Sequence, residues 1–373
     1  MMRTKLIDIS NFFLVVFSGF YLTSTFISPI YFTFLLGLFF CIISVNKSYS
    51  IKKYDLLFLL SLIVLIVIQS FKNFVPSALV GLILSYLTYI LVSINLQNQN
   101  DWSREKAFKL IRKFIGFSTI LITVETIIRI LYPGEPDTII ANNRFELIFY
   151  IFKFNSIMFE DSNSTGIFLL LLIGTIQYIR AHESKRYDQI LLFYLISILL
   201  LTFSRSAIIV GLTLILVFPY RKLIYRFRWF ILLFFTATSA TIYGMIKNIQ
   251  DDSLATKFNL FEETINLIGS LGLGDLLFGV GYGNGASVLS RGTHNYLTTH
   301  LIEGGIFGLT IFLVHWIYII RISSKMRIGA ILFPLAISGL SFISTSIPFV
   351  YSTIAVLIYT ELNEKSKCTY PRL

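Results

Sequence analysis

Residues 54–71 read YDLLFLLSLIVLIVIQSF, an apolar run of the length that a helix needs to cross the hydrocarbon core of a bilayer. Similar runs recur along the chain, which is 55% hydrophobic and only 14% charged. A soluble domain cannot bury that much apolar surface. Because every backbone amide inside a bilayer must be paired within the protein, the runs are predicted to be helices. The sequence therefore indicates an all-α, polytopic integral membrane protein.

The apolar runs predict about twelve membrane spans in one transmembrane domain covering 1–373. Two longer polar segments, 132–163 and 247–298, separate some of the spans. The spans are predicted near 8–26, 29–45, 54–71, 75–95, 113–132, 164–180, 189–203, 206–220, 229–246, 299–320, 328–343 and 346–361.

The basic residues behind the formal net charge of +11 lie mainly in the segments on one side of the predicted spans. With the N-terminus inside, 23 of the 31 Lys and Arg residues fall in cytoplasmic segments, as the positive-inside rule requires. The bias predicts that both termini are cytoplasmic and that 132–163 and 247–298 are extracytoplasmic loops. The basic charge is therefore a topology signal, and no nucleic-acid partner is expected. Cys41 lies in a span and Cys368 in the cytoplasmic tail, so no disulfide is expected, and the first run has no signal-peptide cleavage site.

The large loop, 247–298, is predicted to contain an amphipathic helix. One face of that helix is apolar, with Leu254, Phe258, Phe261, Ile265 and Ile268. The other is polar, with Lys257, Asn259, Glu262, Glu263 and Asn266. The apolar face fits equally well against the outer membrane–water interface and against the end of the helix bundle. The cytoplasmic loops are short and contain no phosphate-binding loop, so an active site is expected on the outer face.

Arg205 is the first candidate functional residue. It lies in Thr202-Phe203-Ser204-Arg205, a tight outer turn between two spans. A cation at the edge of the bilayer is costly unless it is paired or reaches water, so a functional role competes with that of an interfacial side chain. A guanidinium is suited to bidentate binding of a phosphate or diphosphate.

His294 is the second candidate. It follows the glycine-rich run Phe278–Gly285 and lies with Arg291 and Asn295 just before an apolar span. An imidazole has an ordinary pKa of about 6.5 and can accept a proton at neutral pH. The alternative is a structural histidine that is hydrogen-bonded at the start of a helix. For the other three histidines, His182, His300 and His315, we favour a structural role.

The acids allow two interpretations. Asp161 and Asn163 precede a span and can either cap its helix or orient a sugar or an arginine. Glu303 lies in the outer part of a span and is expected to pair with a cation such as Arg205 or Arg291. The outer loops have no ligand spacing typical of a metal site, so no metal and no other cofactor are expected.

These residues resemble the O-antigen ligase / O-antigen polymerase family of polytopic membrane glycosyltransferases. The matching pieces occur in family order over roughly 160–310: Asp161-Ser162-Asn163, Thr202 to Arg205, Phe278 to Gly283, His294-Asn295-Tyr296-Leu297, and Glu303-Gly304-Gly305 with Gly308. The chain differs from the family where Lys257 replaces a common arginine and Ser162 a common proline. Which cation assists Arg205 is therefore open.

The resemblance implies a metal-independent glycosyltransferase in the bacterial inner membrane, whose donor is a glycan on undecaprenyl diphosphate. Arg205, with Arg291 or Lys257, would hold the leaving diphosphate. His294 would take the proton of the acceptor hydroxyl. Glu303 or Asp161 would orient His294 or an arginine. Asn163, Asn295, Gly281 and Gly283 would contact substrate. A polysaccharide chain-length regulator is the partner that polymerase resemblance implies.

Two activities of the family remain open. A polymerase transfers the growing chain to another lipid-linked repeat unit of O-antigen or capsule, whereas a ligase transfers the finished chain to lipid A core. We favour the polymerase because the chain is compact and rich in Phe and Ile. A flippase or other transporter is a lesser alternative. A transporter would have ionisable groups deep inside several spans, whereas the predicted spans of this chain contain almost no charged residues.

Overall fold

The computed structural model describes residues 2–44, 53–99, 101–133, 152, 156–159, 162–217, 252–290, 295–323, 328, 331–332, 335 and 347–369. These residues form helices joined by turns, with no strand among them, so the all-α class is confirmed for the described part of the chain. The helices are α1 (Met2–Asn11, continued by a π-helix, Phe12–Val16), α2 (Pro29–Ser44), α3 (Lys53–Ser70), α4 (Pro76–Gln97), α5 (Arg104–Leu131), α6 (Ser162–Arg180), α7 (Arg186–Leu201), α8 (Arg205–Val217), α9 (Asp252–Ser270), α10 (Leu273–Phe278), α11 (Gly285–Val288), α12 (Tyr296–Ser323) and α13 (Pro348–Thr369).

Several helices begin where local chemistry predicts. Proline is the first residue of α2, α4 and α13, a position that does not need the missing N–H group. The Ser103 hydroxyl accepts a hydrogen bond from the Lys106 amide at 3.3 Å and caps α5. The three helices that begin with proline start within two residues of their predicted spans, whereas α5 starts at Arg104, nine residues before its predicted span.

Three described helices are long and apolar enough to cross a membrane: 76–97, 104–131 and 296–322. They support a membrane protein, while the full count of about twelve spans stays a prediction. The predicted spans near 229–246 and 328–343 lie wholly or mostly outside the described residues.

The first predicted span, 8–26, is wrong in its second half. Its helix ends at Val16, and residues 17–28 are irregular. The irregular backbone has its own partners, because the Phe20 amide binds the Phe17 carbonyl and the Thr23 amide binds the Ile157 carbonyl. Apolar composition alone did not distinguish a straight helical span from an irregular segment whose residues 24–27 are exposed.

Helices α6 and α13 form the centre of the bundle. Every side chain from 165 to 179 and from 347 to 358 is buried, and Phe168 and Phe349 contact each other across the two helices at 4.5 Å. The surrounding helices expose apolar side chains instead, as a lipid-facing ring requires. Examples are Phe32, Leu35, Phe39, Leu57, Ile63, Ile190, Phe193, Ile209, Val314 and Ile317.

The ends of the helices group as an antiparallel bundle predicts. At one end, Arg112 of α5 binds Asp188 of α7 at 2.8 Å, and His182 lies 3.5 Å from Glu361 of α13. All four residues lie in or next to predicted cytoplasmic segments. Hydrogen bonds from Lys106 and Lys185 lower the pKa of the exposed acids Asp101 and Glu183, respectively.

The opposite end carries the predicted outer segments. Helices α4 and α13 run in the same direction, since Tyr86 contacts Tyr351 and Trp102, which follows α4, binds Thr360. The start of α4 therefore shares an end with the start of α13, where Phe159 contacts Phe349. Which end faces the cytoplasm stays a prediction.

The amphipathic helix is confirmed as α9. It contacts α12, and its Leu260 and Thr264 are buried, while Phe261 and Ile265 of the predicted apolar face are more than half exposed. An apolar face that the bundle leaves uncovered favours the interpretation in which α9 contacts the membrane interface.

Candidate functional site

The described candidate residues other than Asn295 fall into two clusters at the predicted outer end of the bundle. The turn cluster consists of Glu125, Arg129, Asn163 and Thr202–Arg205. The glycine-loop cluster consists of Gln69, Phe278–Gly285, His300 and Glu303. Asn163 and Arg205 belong to the first, and Gly281, Gly283 and Glu303 to the second.

The Thr202–Arg205 turn is built by hydrogen bonds of its own residues. The Thr202 hydroxyl donates to the Leu199 carbonyl at 2.7 Å and accepts from the Ser204 amide at 3.2 Å. Phe203 has a left-handed backbone, with φ of 54°, the only positive φ of a non-glycine residue among the described residues. Arg205 follows at once as the first residue of α8, so its Cα position is fixed by the turn; its side chain lies outside the described part.

Asn163 connects the turn to α6. Its Oδ1 accepts a hydrogen bond from the Ser204 hydroxyl at 2.9 Å, which joins two motifs that lie 41 residues apart. Asn163 is the second residue of α6, and the capping role considered for it stays a prediction. Asp161, just before α6, lies outside the described residues, and its role stays a prediction.

Glu125 and Arg129 lie beneath the turn and were not singled out from the sequence. The Arg129 Nε lies 3.5 Å from Glu125 Oε1, and both side chains are at most 1% exposed. The Arg129 guanidinium donates to the carbonyls of Leu201 and Thr202 at 3.2 and 3.4 Å. The signal in the sequence was present, since two opposite charges four residues apart near the end of an apolar span predict a pair.

The glycine-rich loop is a folded element held by Glu303. The Glu303 carboxylate accepts the amides of Gly283 and Gly285 at 2.9 and 3.2 Å. Its backbone carbonyl accepts the Gly281 amide at 3.1 Å, and the Ile302 carbonyl accepts that of Val280 at 2.9 Å. The described partners of this carboxylate are thus backbone amides. Its pairing with Arg205 or Arg291 stays a prediction, because Arg291 and the Arg205 side chain lie outside the described part.

The same loop is attached to the connection between α3 and α4. The Gln69 side chain donates to the Phe278 carbonyl at 3.0 Å and accepts the Tyr282 amide at 3.2 Å. The Val75 amide donates to the Tyr282 carbonyl at 2.7 Å, and Lys72 forms an ion pair with Asp275 at 2.6 Å. No sequence signal pointed to Gln69, since a glutamine at the end of a span is ordinary.

Tyr282 fixes the loop to the first half of α12. Its ring is fully buried, and its hydroxyl lies 2.9 Å from His300 Nδ1. Burial, and secondarily the negative charge of Glu303, raise the pKa of the Tyr282 phenol well above its usual range. The ring occupies space beside Gly304 and Gly308, where any side chain would contact the Tyr282 hydroxyl. This contact gives His300 a structural partner, in agreement with the interpretation made from the sequence.

Helix α12 is broken at Gly305, whose φ of 68° and ψ of −173° are not helical. A Cβ there would collide with the Gly279 amide and the Leu277 carbonyl, so only glycine allows α10 to lie against the break. The break explains the Glu303-Gly304-Gly305 sequence in terms of close packing.

The beginning of α12 places His294. The Asn295 Oδ1 accepts the Thr298 amide at 2.8 Å, so Asn295 caps the helix and His294 immediately precedes the cap. His294 and Arg291 themselves lie outside the described residues, as does the side chain of Lys257 in α9. Their predicted roles, and substrate contacts of Asn295, Gly281 and Gly283, stay predictions.

The described residues contain no group of three His, Cys, Asp or Glu side chains arranged to hold a metal ion. The expected absence of a metal stays a prediction, because the outer segments that carry His294 and Asp161 are only partly described.

Replacing Glu303 tests its role in the loop. We expect Glu303→Ala to lower the free energy of unfolding by about 2–4 kcal/mol, because two buried amides lose a charged acceptor. Glu303→Gln keeps one acceptor oxygen and should lose less. The measurement is thermal unfolding of the protein purified in detergent. Glu263→Ala is the matched control, since Glu263 also accepts an amide, that of Ser290, but at the surface; equal losses for Glu263→Ala and Glu303→Ala would contradict the assignment.

The chain was also compared with known proteins. No protein-family model matches it, and no curated protein sequence matches it at a significant level. The two clusters and the resemblance of the sequence motifs are the features that bear on its function.

Proposed function

We propose that the protein is a polysaccharide repeat-unit polymerase of the bacterial inner membrane. It would transfer a growing O-antigen or capsule glycan from undecaprenyl diphosphate to a lipid-linked repeat unit at the outer leaflet. The observation that carries the proposal is the construction of the Thr202–Arg205 turn, which fixes the backbone of a cation at the edge of the helix bundle.

A fixed cation is what the leaving group of this reaction needs. The acceptor hydroxyl oxygen attacks the anomeric carbon, and the bond from that carbon to the diphosphate oxygen breaks. Negative charge then develops on the lipid diphosphate. Arg205 would hold this charge from the first position of α8, where the N-terminal end of the helix also favours an anion. Arg291 or Lys257 would supply a second cation.

The proton of the acceptor hydroxyl requires a base at the same end. His294 takes this role in the proposal, because it immediately precedes the Asn295 cap of α12. Glu303 contributes by holding the glycine loop against α12 through the Gly283 and Gly285 amides. The loop would then present a rigid surface to the sugar beside the base. The bond energy of the donor drives transfer, so no nucleotide is needed.

The apolar surface beside the glycine loop suits a lipid-linked substrate. Phe261 and Ile265 of α9 are exposed, as are Leu273 and Leu277 of α10. Exposed apolar side chains at a membrane boundary contact lipid chains, and a polyprenyl tail is entirely apolar. The donor would therefore approach from the membrane on the side of α9 and α10.

Two alternatives differ in measurable ways. A ligase uses the same donor chemistry but transfers the finished chain to lipid A core. A transporter is favoured by one finding that the sequence did not predict: Glu125, Arg129 and His315 are buried within helices α5 and α12. Glu125 and Arg129 belong to the turn cluster, near the end of α5, which fits a surface reaction better than a pathway through the bilayer.

A deletion strain distinguishes the three functions. We expect its surface glycan to lose the ladder of chain lengths on a gel, with single repeat units left on undecaprenyl diphosphate or on core. Long chains stranded on undecaprenyl diphosphate, with bare core at the surface, would identify a ligase instead. Repeat units that accumulate only on the cytoplasmic leaflet, inaccessible to an added glycosidase in intact spheroplasts, would identify a transporter.

A further inference from the structure

We propose that Arg129 is a positioning residue that fixes the Thr202–Arg205 turn, and thereby Arg205, for catalysis, with Glu125 as its counter-ion. This inference rests on the proposed function, since it assigns Arg205 to the diphosphate. Arg129 would act through the turn and would not touch the substrate, because its side chain is buried under the turn.

The contacts of Arg129 converge on the residues before Arg205. Its two terminal nitrogens donate to the consecutive carbonyls of Leu201 and Thr202, at 3.2 and 3.4 Å. These carbonyls lie at the C-terminal end of α7, where unpaired carbonyls and the helix dipole favour a positive charge. A planar guanidinium can bind two neighbouring carbonyls at once, whereas a lysine ammonium presents a single point of charge.

Glu125 makes this cation tolerable inside the bundle. Its carboxylate lies 3.5 Å from Arg129 Nε on the same face of α5, and its side chain is fully buried. Neutralisation by a carboxylate four residues earlier leaves the two terminal nitrogens of Arg129 free to bind the turn. Glu125 also accepts a hydrogen bond from the Thr126 hydroxyl at 3.4 Å.

The turn needs an external anchor because its own backbone is strained. Phe203 adopts a left-handed conformation, with φ of 54°, that non-glycine residues rarely keep without support from the surroundings. The contacts of Arg129 on one side and the Ser204–Asn163 hydrogen bond on the other hold the residues that flank Phe203. The two anchors together fix the direction in which α8 begins, and with it the Cα of Arg205.

A purely structural role would be replaceable by apolar residues. Buried ion pairs contribute little to stability relative to apolar residues of similar volume, whereas removal of one partner alone leaves an uncompensated charge. The double variant Glu125→Met/Arg129→Met therefore removes the anchor without burying a lone charge. We expect it to accumulate and unfold like the wild type.

The experiment measures the turn and the activity separately. Amide hydrogen exchange of the detergent-purified double variant should be roughly tenfold faster in the peptide containing Thr202, Phe203 and Ser204, because their amides lose a fixed turn. The peptide containing Gly281–Gly285 should exchange as in the wild type, which serves as the internal control. In the deletion strain, the same variant should lower ladder synthesis on the order of 10²-fold, as a small displacement of a catalytic group does.

Arg129→Lys supplies a second variant should the double variant not accumulate. It keeps the charge beside Glu125 but reaches a single carbonyl, so we expect exchange and ladder synthesis between those of the wild type and the double variant. A positioning role predicts that Arg129→Lys restores the exchange rate and ladder synthesis in part. A role in apolar packing alone would not give this partial recovery.

Two results would overturn the proposal. Unchanged exchange at 202–204 would show that Arg129 does not fix the turn, and faster exchange with a normal ladder would show that catalysis does not need it. Failure of the proposed function has a different signature: Arg205→Ala would keep a normal ladder, whatever the exchange data show for Arg129.

Discussion

Arg205→Ala and His294→Ala are each expected to reduce polymer synthesis by about 10²- to 10³-fold, the usual loss for a removed electrostatic stabiliser or general base. Arg205 would lose its hold on the leaving diphosphate, and His294 its ability to accept the proton. Arg205 is the first residue of α8, and His294 precedes the Asn295 cap in the sequence. We expect both variants to accumulate at normal levels. The measurement is the glycan ladder of the deletion strain that carries each variant, normalised to the amount of protein in the membrane.

Two controls make this result specific. Arg205→Lys keeps a cation but loses bidentate binding, so it should retain partial activity. His182→Ala removes a histidine at the opposite end of the bundle, where His182 lies 3.5 Å from Glu361, and should leave the ladder intact. Full activity of both Arg205→Ala and His294→Ala at normal protein levels would rule out the proposed mechanism.

Gly281→Ala is expected to give the largest loss of folded protein. Gly281 has φ of 104°, and a Cβ there would collide with the carbonyl oxygen of Asn73. The left-handed backbone alone costs a non-glycine residue about 1–3 kcal/mol, and the collision with another backbone adds to this. The loop would have to leave the connection between α3 and α4, which breaks the hydrogen bonds of Gln69 and Val75 as well. We expect the variant to be degraded in cells or to unfold at a clearly lower temperature in detergent.

Gly269→Ala is the matched control. A Cβ at Gly269 meets nothing within 4 Å, and the residue lies in helix α9. Alanine should therefore be tolerated there and even stabilise the helix by about 0.5–1 kcal/mol. Equal accumulation and equal unfolding temperatures for Gly281→Ala and Gly269→Ala would contradict the close approach of the loop to Asn73.

The sequence predicted the helices better than it predicted their partners. Apolar length and proline positions placed α2 and α4 within two residues of the predicted spans, because both signals are local. The first span was overextended because residues 17–28 include the apolar side chains Phe17, Phe20, Tyr21, Leu22, Phe26 and Ile27, whereas the Thr23 amide binds a distant partner, the Ile157 carbonyl. Amino-acid composition indicates which segments are apolar but does not indicate their tertiary hydrogen-bond partners.

The glycines and the glutamate that the sequence singled out lie together in the glycine-loop cluster, while the catalytic and binding roles assigned to them stay predictions. The pairing of Glu303 with Arg205 or Arg291 also stays a prediction, and what the structure adds is that its carboxylate accepts the Gly283 and Gly285 amides. Backbone amides leave no trace in a sequence, so this contact could not have been foreseen. The Glu125–Arg129 pair was visible at its spacing of four residues and was overlooked because it lies inside an apolar run.

The central position of α13 has a consequence for how the protein is made. Its core contacts are with segments synthesised long before it: the Ile347 amide binds Ser85, 262 residues earlier, and Ser352 binds Ser18, 334 residues earlier. Helices α4 and α5 therefore leave the translocon before the helix that fills the space between them exists. During that interval α4 and α5 lack the helix that packs against both of them, and the hydroxyls of Ser18 and Ser85 donate to carbonyls of their own segments, those of Val15 and Gly81. Insertion of α13 would then be the step that converts a loose assembly intermediate into a closed protein, and membrane quality-control proteases would have their best opportunity just before it.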